Sequence, residues 1–395
     1  MIKIIIHDFA GHPSPFALSK ELSKKYLVYH LYFGNDYGPK ANFVGKYKNL
    51  VINKIGSNIN YSKKNLFSRF INDIIYGKKI VEKINQIKPD VIISGQCPTF
   101  SQELILNASR KKNYKFIYWM QDFYSIAVEK ILKKKYFFFS YPINFLFKIF
   151  DKKQFKLSNH IIVITDDFKK KLNDFKISKN KISIIPNWGD LNNIFPKAKN
   201  YEFLKNSGLK KSDFIILYTG TLAEKHNPDL LKEIAKKNQN VKVVVSGVGS
   251  GHDKLKNDIQ LPKNMKLLPL QPYNKFNNIL NSADILLATL EYDAGEFSVP
   301  SKILNYLSAG KPIMLCAPKT NLASKYISES GSGSVFGKNE ERNIHLFIQN
   351  IFLNKKLREK MSNNGRNYAE KKFSINEISL RFEKIIKETL RDGNE

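Results

Sequence analysis

Phe214-Ile215-Ile216-Leu217-Tyr218-Thr219-Gly220-Thr221-Leu222-Ala223-Glu224-Lys225-His226-Asn227-Pro228 opens the second half of the chain. Its first five residues are all apolar or aromatic and read as a strand buried on both faces. Gly220 allows a close backbone approach where the chain leaves the sheet. Lys225 then stands within reach of an anion held at that exit. The Lys- and Glu-bearing residues after Pro228 suffice for a helix before Val241 to Val245 starts the next apolar run. Strand, tight exit and helical return make up the unit of a parallel sheet covered on both faces.

The unit recurs in both directions. Upstream, short apolar runs occupy Ile2 to Ile6, Leu27 to Leu31, Val91 to Ser94, Phe116 to Trp119, Ile161 to Ile164 and Ile182 to Ile185. Downstream they occupy Met265 to Leu268, Ile285 to Leu290 and Ile313 to Cys316. The series breaks at Pro186-Asn187-Trp188-Gly189-Asp190, followed by a polar stretch to about Lys211. The pattern predicts an α/β protein of two doubly wound domains, residues 1–190 and 191–374. The carboxyl ends of both strand sets are expected around one central cleft, the usual ligand position in such sheets. No short repeat or low-complexity tract interrupts it.

Composition agrees. A chain of 395 residues with 42% hydrophobic and 12% aromatic residues can bury two sizeable cores, which excludes wholesale disorder and a small disulfide module. Cys97 and Cys316 lie far apart without a C-x-x-C partner, so a zinc site or disulfide framework is not expected and a reducing compartment is. Lys and Arg number 65 against 35 Asp and Glu, a net charge of +30. That charge suits nucleic acid, anionic lipid or a nucleotide diphosphate, or reflects a general Lys/Asn/Ile bias. Met1 to Asp8 lacks the features of a signal peptide, and no stretch reaches the ~18 apolar residues of a membrane span. The expected location is cytoplasmic. Tyr136 to Phe150 is an aromatic run flanked by Lys133 to Lys135 and by Lys152-Lys153; it fits either an interfacial segment on a membrane or a core helix.

Chemistry is sought at the strand ends. Leu290 to Pro312 begins as a buried strand that ends in Glu291 and Asp293, with Gly295 following. Ser298, Pro300 and Ser301 then suit a helix start, and Lys302 adds a full charge to a first turn whose amides favour phosphate. Val245 to Gly251 is either a phosphate loop or a strand-to-helix turn, and its G-x-G-x-G spacing departs from a dinucleotide fingerprint. The Leu268 to Tyr273 stretch, with Gln271, either holds a base through backbone groups with Tyr273 stacking, or is a turn set by two prolines. In the first half Gly11 and His12 follow the first strand and Gln121-Asp122 follows a later one. Both loops suit an acceptor hydroxyl or the transferred group.

Taken together, these residues resemble the GT-B glycosyltransferases of the retaining, family-4 type that assemble bacterial capsule, O-antigen and exopolysaccharide. The resemblance rests on Ile161 to Thr165 with Asp167 to Leu172, Ile184 to Asp190, Gly220 to Asn227, Ala283-Asp284, Phe297 to Lys302 with Tyr306 to Pro312, and Asn364-Gly365-Arg366. It implies two Rossmann-like domains, the first binding a lipid-linked or saccharide acceptor and the second a nucleotide-diphosphate sugar, usually a UDP-sugar. It also implies a final helix within residues 375–395 packed back on the first domain, and no required metal or other cofactor. Lys225 falls at the family's pyrophosphate lysine, and Thr221 replaces an arginine, a loss for which Lys302 compensates. The family's paired glutamates are Phe297 and Asn305 here, with Asn305 suited to the ribose and Glu291, Asp293 and Glu296 to the sugar. Gln121-Asp122 replaces a frequent His-Asp pair.

The catalytic candidates are therefore Lys225, Lys302 and Asp122. The donor-binding candidates are Gly11, His12, Gly220, Gln271, Glu291, Asp293, Gly295, Phe297, Ser298, Val299, Pro300, Ser301 and Asn305. A peripheral position on the inner face of the plasma membrane, against anionic lipid, is expected, and nucleic acid is not an expected partner. The competing expectations are a nucleotide-sugar epimerase or hydrolase of the same fold, and a basic nucleic-acid-binding protein. The chain supplies few of the carboxylates and histidines the former needs, and it has no recognisable nucleic-acid motif.

Overall fold

The computed structural model describes residues 1–34, 43, 45–59, 66–95, 97–121, 123, 125, 137–290 and 302–391, without the side chains of 66, 67 and 137–142. The chain forms two compact units, one of Met1–Asn187 with Ile375–Glu395 and one of Trp188–Ser374.

In the first unit, seven strands form one parallel sheet: β1 (Lys3–His7), β2 (Leu27–Tyr32), β3 (Leu50–Lys54), β4 (Val91–Ser94), β5 (Lys115–Met120), β6 (His160–Val163) and β7 (Ile182–Ile184). Their order is β3-β2-β1-β4-β5-β6-β7. The returns are α1 (Pro13–Leu22), α2 (Leu66–Ile87), α3 (Thr99–Lys111), α4 (Phe137–Leu157) and α5 (Asp166–Leu172). Central strands are buried on both faces, as Ile4, Ile5 and Ile6 show.

The second unit repeats the plan with six parallel strands: β8 (Ile215–Thr221), β9 (Lys242–Val248), β10 (Met265–Pro269), β11 (Ile285–Thr289), β12 (Ile313–Cys316) and β13 (Gly333–Phe336). The order β10-β9-β8-β11-β12-β13 is that of the doubly wound dinucleotide-binding sheet. Its helices are α6 (Tyr201–Asn206), α7 (Pro228–Lys237), α8 (Ser250–Lys256), α9 (Tyr273–Asn281), α10 (Lys302–Ala309), α11 (Leu322–Ser330), α12 (Glu341–Leu353) and α13 (Lys355–Phe373).

The last helix, α14 (Ile375–Arg391), belongs to the first unit. Ile378, Phe382 and Ile386 are buried, Phe382 packs edge-on against Trp119 at 5.2 Å, and Glu383 pairs with Lys25 at 2.8 Å.

In each sheet the first strand lies centrally and the connections run outward to both sides. The order therefore reverses between β1 and β4, and again between β8 and β11. At such a reversal the loops leave in opposite directions and open a crevice at the carboxyl ends of the strands. Gly11 and His12 follow β1; Gly220 is the penultimate residue of β8, and Lys225 follows that strand.

Candidate active site

The site in the second unit is built from α10 inward. Lys302 and Tyr306 are four residues apart on this helix and share one face. The Tyr306 hydroxyl accepts the Thr219 N–H at 3.3 Å and donates to the Leu287 carbonyl at 3.2 Å, joining α10 to β8 and β11. The other end of α10 is held too, because Arg366 donates to the Ser308 and Ile194 carbonyls at 2.8 and 2.9 Å. One turn before Tyr306, Lys302 lays its Nζ over the ring of buried Tyr218, 3.6 Å from the centroid. Gly220 borders the same nitrogen: a Cβ there would stand 3.7 Å from it, and the residue has φ +107, which disfavours any side chain. Gly247 on β9 is the ladder partner of Gly220 on β8, and a Cβ on Gly247 would come within 2.3 Å of the Gly220 carbonyl oxygen.

The Lys302 residue is only partly buried, yet its Nζ is closed off from solvent and has no hydrogen-bond partner among the described residues. Burial pushes its pKa down to about 7. A cation held against a π face, with its N–H groups unused, is matched to an anion that supplies both charge and acceptors.

The loop after β8 adds a second cation and a neutral imidazole. Glu224–His226 forms a single 3-10 turn, in which Lys225 is exposed. His226 is held from two sides. Its Nδ1 accepts the Ala223 N–H at 3.0 Å, and its carbonyl accepts from the Thr289 hydroxyl at the end of β11. Burial first, then the charges of Lys302 and Lys225, lower its pKa to about 4, so it is neutral with its proton on Nε2. Asn227 ends the turn in the left-handed region (φ 49), and its side chain accepts the Leu230 N–H at 3.1 Å to start α7.

Elsewhere the hydrogen-bond donors bear on the alternatives left by the sequence. The N–H groups of Gly251 and His252 both point to the Leu222 carbonyl, at 2.9 and 3.3 Å, so Val245 to Gly251 is a strand-to-helix turn. Gln271 donates to the Pro269 carbonyl at 3.0 Å and the Tyr273 hydroxyl donates to Asp190, which favours the proline-set turn. Asn305 lies half-buried on α10.

Of the residues expected in the donor site, the structure brings Lys302 and Gly220 together, with Lys225 on the adjoining turn. Glu291, Asp293, Gly295, Glu296, Phe297, Ser298, Val299, Pro300 and Ser301 lie outside the described residues, as does Asp122. Tyr218, His226, Thr289 and Tyr306 were not anticipated. The spacing of Tyr306 from Lys302 and the position of His226 beside Lys225 were the available signals.

In the first unit Gly11 (φ +72) and exposed His12 form a tight turn whose Ala10 and His12 amides donate to the Asp8 carboxylate. Gln121 accepts from Asn187 at 2.8 Å. Buried at the ends of β1 and β4 is a polar chain that the sequence did not suggest: Tyr76 to His7 at 3.0 Å, His7 to Ser94 at 2.9 Å, and Ser94 to Gln102 at 2.8 Å. Burial lowers the His7 pKa to about 3, so it is a neutral structural histidine.

With this geometry in place, two family models match the chain: Glyco_transf_4, Glycosyltransferase Family 4, over residues 16–193, and Glycos_transf_1, Glycosyl transferases group 1, over residues 200–368. Its two halves are glycosyltransferase domains of the GT-B type. The chain is thereby placed among the transferases. It is 25% identical over 147 residues to the putative colanic acid biosynthesis glycosyl transferase WcaI of Escherichia coli (strain K12). That match spans 36% of this chain and 36% of the relative, so it covers about a third of the curated protein's length.

The glycosyltransferase fold is shared with solved structures across nearly the whole chain. Sucrose-phosphate synthase of Thermosynechococcus elongatus superposes with a TM-score of 0.77 at 11% identity, covering 99% of this chain and 100% of that one. HepE of Anabaena in complex with UDP superposes with a TM-score of 0.69 at 12% identity, covering 98% and 100%.

Proposed function

We propose that this chain transfers a sugar from a nucleotide-diphosphate donor, a UDP-sugar, to a lipid-linked or saccharide acceptor with retention of configuration. We place that reaction in the assembly of a cell-surface polysaccharide, capsule or O-antigen, at the cytoplasmic face of the membrane. The observation that carries this reading is the Lys302 ammonium, buried at the switch point of the second sheet without a hydrogen-bonding partner among the described residues. A diphosphate there replaces the solvation the ammonium has lost. The complex of HepE with UDP supports the choice of nucleotide, and WcaI's role in colanic acid biosynthesis supports the choice of process.

In this reading negative charge grows on the departing diphosphate as its bond to the anomeric carbon breaks. Lys302 in its protonated form and Lys225 on the adjacent turn offset that charge where it develops. An oxygen of the departing phosphate takes the acceptor's hydroxyl proton, and the new bond forms on the face the leaving group vacates. Lysines take the part that a divalent cation plays in other transferases. Neutral His226 fixes the turn that carries Lys225.

The test is thermal stabilisation by UDP and a panel of nucleotide sugars, followed by turnover with the stabilising donor. Lys302→Met and Lys225→Ala, each folded, are expected to lose about 2–4 kcal/mol of transition-state stabilisation. Wild-type turnover in both variants would refute the assignment.

A further inference from the structure

The first unit carries an exposed apolar surface that the transfer reaction does not use. Phe70, Ile71 and Ile75 stand out from α2, and Ile143, Phe145, Leu146 and Ile149 from α4. These seven are among 17 large exposed hydrophobic residues in the described chain, a concentration that scattered surface residues do not produce. Phe100 on α3 joins the two groups. Its ring lies 4.6 Å from that of Phe70, 6.0 Å from that of Phe147 and 5.3 Å from that of Phe150. The result is one surface spanning two helices.

Its border is cationic. Lys148, Lys152 and Lys156 repeat every four residues and are exposed, so they form one stripe along α4 beside Phe145 and Ile149. On α2, Lys78 is exposed one turn beyond Ile75. The acidic residues of these helices are Asp73, Glu82 and Asp151, and two of them, Asp73 and Asp151, are buried. No helix among the described residues is long and apolar enough to cross a membrane.

We propose that α2 and α4 together dock the protein on the surface of an anionic lipid bilayer. The aromatic and aliphatic side chains enter the headgroup and upper acyl region, and the lysine stripe lies level with the lipid phosphates. Neither helix is long and apolar enough to cross the bilayer, so both lie along its surface. A second copy of the chain is the poorer occupant, because a self-complementary contact would bring two lysine-bordered faces together. The net charge of +30 supplies long-range attraction to the same partner.

The experiment is co-sedimentation of the full chain with vesicles of phosphatidylcholine, alone and mixed with phosphatidylglycerol. Strong binding to the mixed vesicles and weak binding to the neutral ones is expected. Replacing Phe145, Leu146 and Ile149 with Ser is expected to lower the partition coefficient on the order of tenfold or more, as is replacing Phe70, Ile71 and Ile75 with Ser.

Phe145→Trp gives an independent readout, since the native Trp119 and Trp188 are buried. Its emission is expected to shift to the blue on mixed vesicles and to be quenched by brominated acyl chains. An unchanged partition in both Ser variants overturns the proposal, as does unchanged Phe145→Trp emission. Self-association that the Ser substitutions abolish, with no vesicle binding by the wild type, overturns it in favour of a contact between copies. Stabilisation by UDP, read in the same variants, reports on the donor site separately, so either reading can fail alone.

Discussion

Holding a lysine ammonium without a hydrogen-bonding partner costs folding energy, and at Lys302 that cost has a pH signature. Burial brings the pKa from an ordinary 10.5 to about 7. Between these values the unfolded chain binds more protons than the native one, so stability rises with pH across that window and the penalty is complete below it. Lys302→Met is therefore expected to stabilise the protein at pH 6 by roughly 2–4 kcal/mol, and by much less near pH 10, in denaturant titrations. A bound diphosphate would raise the same pKa. UDP affinity of the wild type should then fall by up to about tenfold per unit between pH 7 and 9, while the Met variant binds weakly with a flat profile. A flat wild-type profile in calorimetry would contradict this account. Lys302 and Gly220 could be named from the sequence because a basic first turn and a glycine at a strand exit have local signatures. Tyr218 could not, since an aromatic at the end of an apolar run reads as core until the ring is seen beneath a cation.

At the scale of elements, the strands at the centres of the two sheets were the most legible. Strands covered on both faces stand out as continuous apolar runs, and those of both sheets were read within a few residues. The two that were not, β3 and β13, are edge strands. Leu50–Lys54 is buried only at its first residue and Gly333–Phe336 only at its last, and neither holds more than three apolar residues in a row. The aromatic stretch from Tyr136 to Phe150 could be read as core or interface, and in α4 Asn144 and Asp151 are buried while Phe145, Leu146 and Ile149 are exposed. Its inward face carries Asp151, whose pKa burial raises to about 6, against an opposing contribution from Ser125. Here the native state binds the extra proton, so its contribution is present at pH below about 4 and lost as pH rises through 6. Asp151→Asn is expected to raise stability at pH 7.5 by about 2–3 kcal/mol and to change little at pH 4, as thermal melts at both values would report. An equal effect at both would assign the gain to packing.

At the scale of the molecule, the repeated strand-helix alternation made two α/β halves readable, while the membership of α14 rests on contacts distant in sequence. Phe382 is fully buried against Trp119, and no local pattern distinguishes it from an aromatic facing its own neighbours. Phe382→Ala is expected to destabilise the first unit by about 3–5 kcal/mol. Hydrogen exchange should show protection lost in β1 through β7 and retained in β8 through β13; uniform loss would mean that the units unfold together. The placement of α14 also bears on how the protein is made. Every residue of the second unit is translated before the residues that close the first. The half synthesised earliest is thus finished last, with the Trp119 face lacking its own cover throughout elongation. A stop codon introduced just before α14 would then release a chain whose oldest domain is the incomplete one.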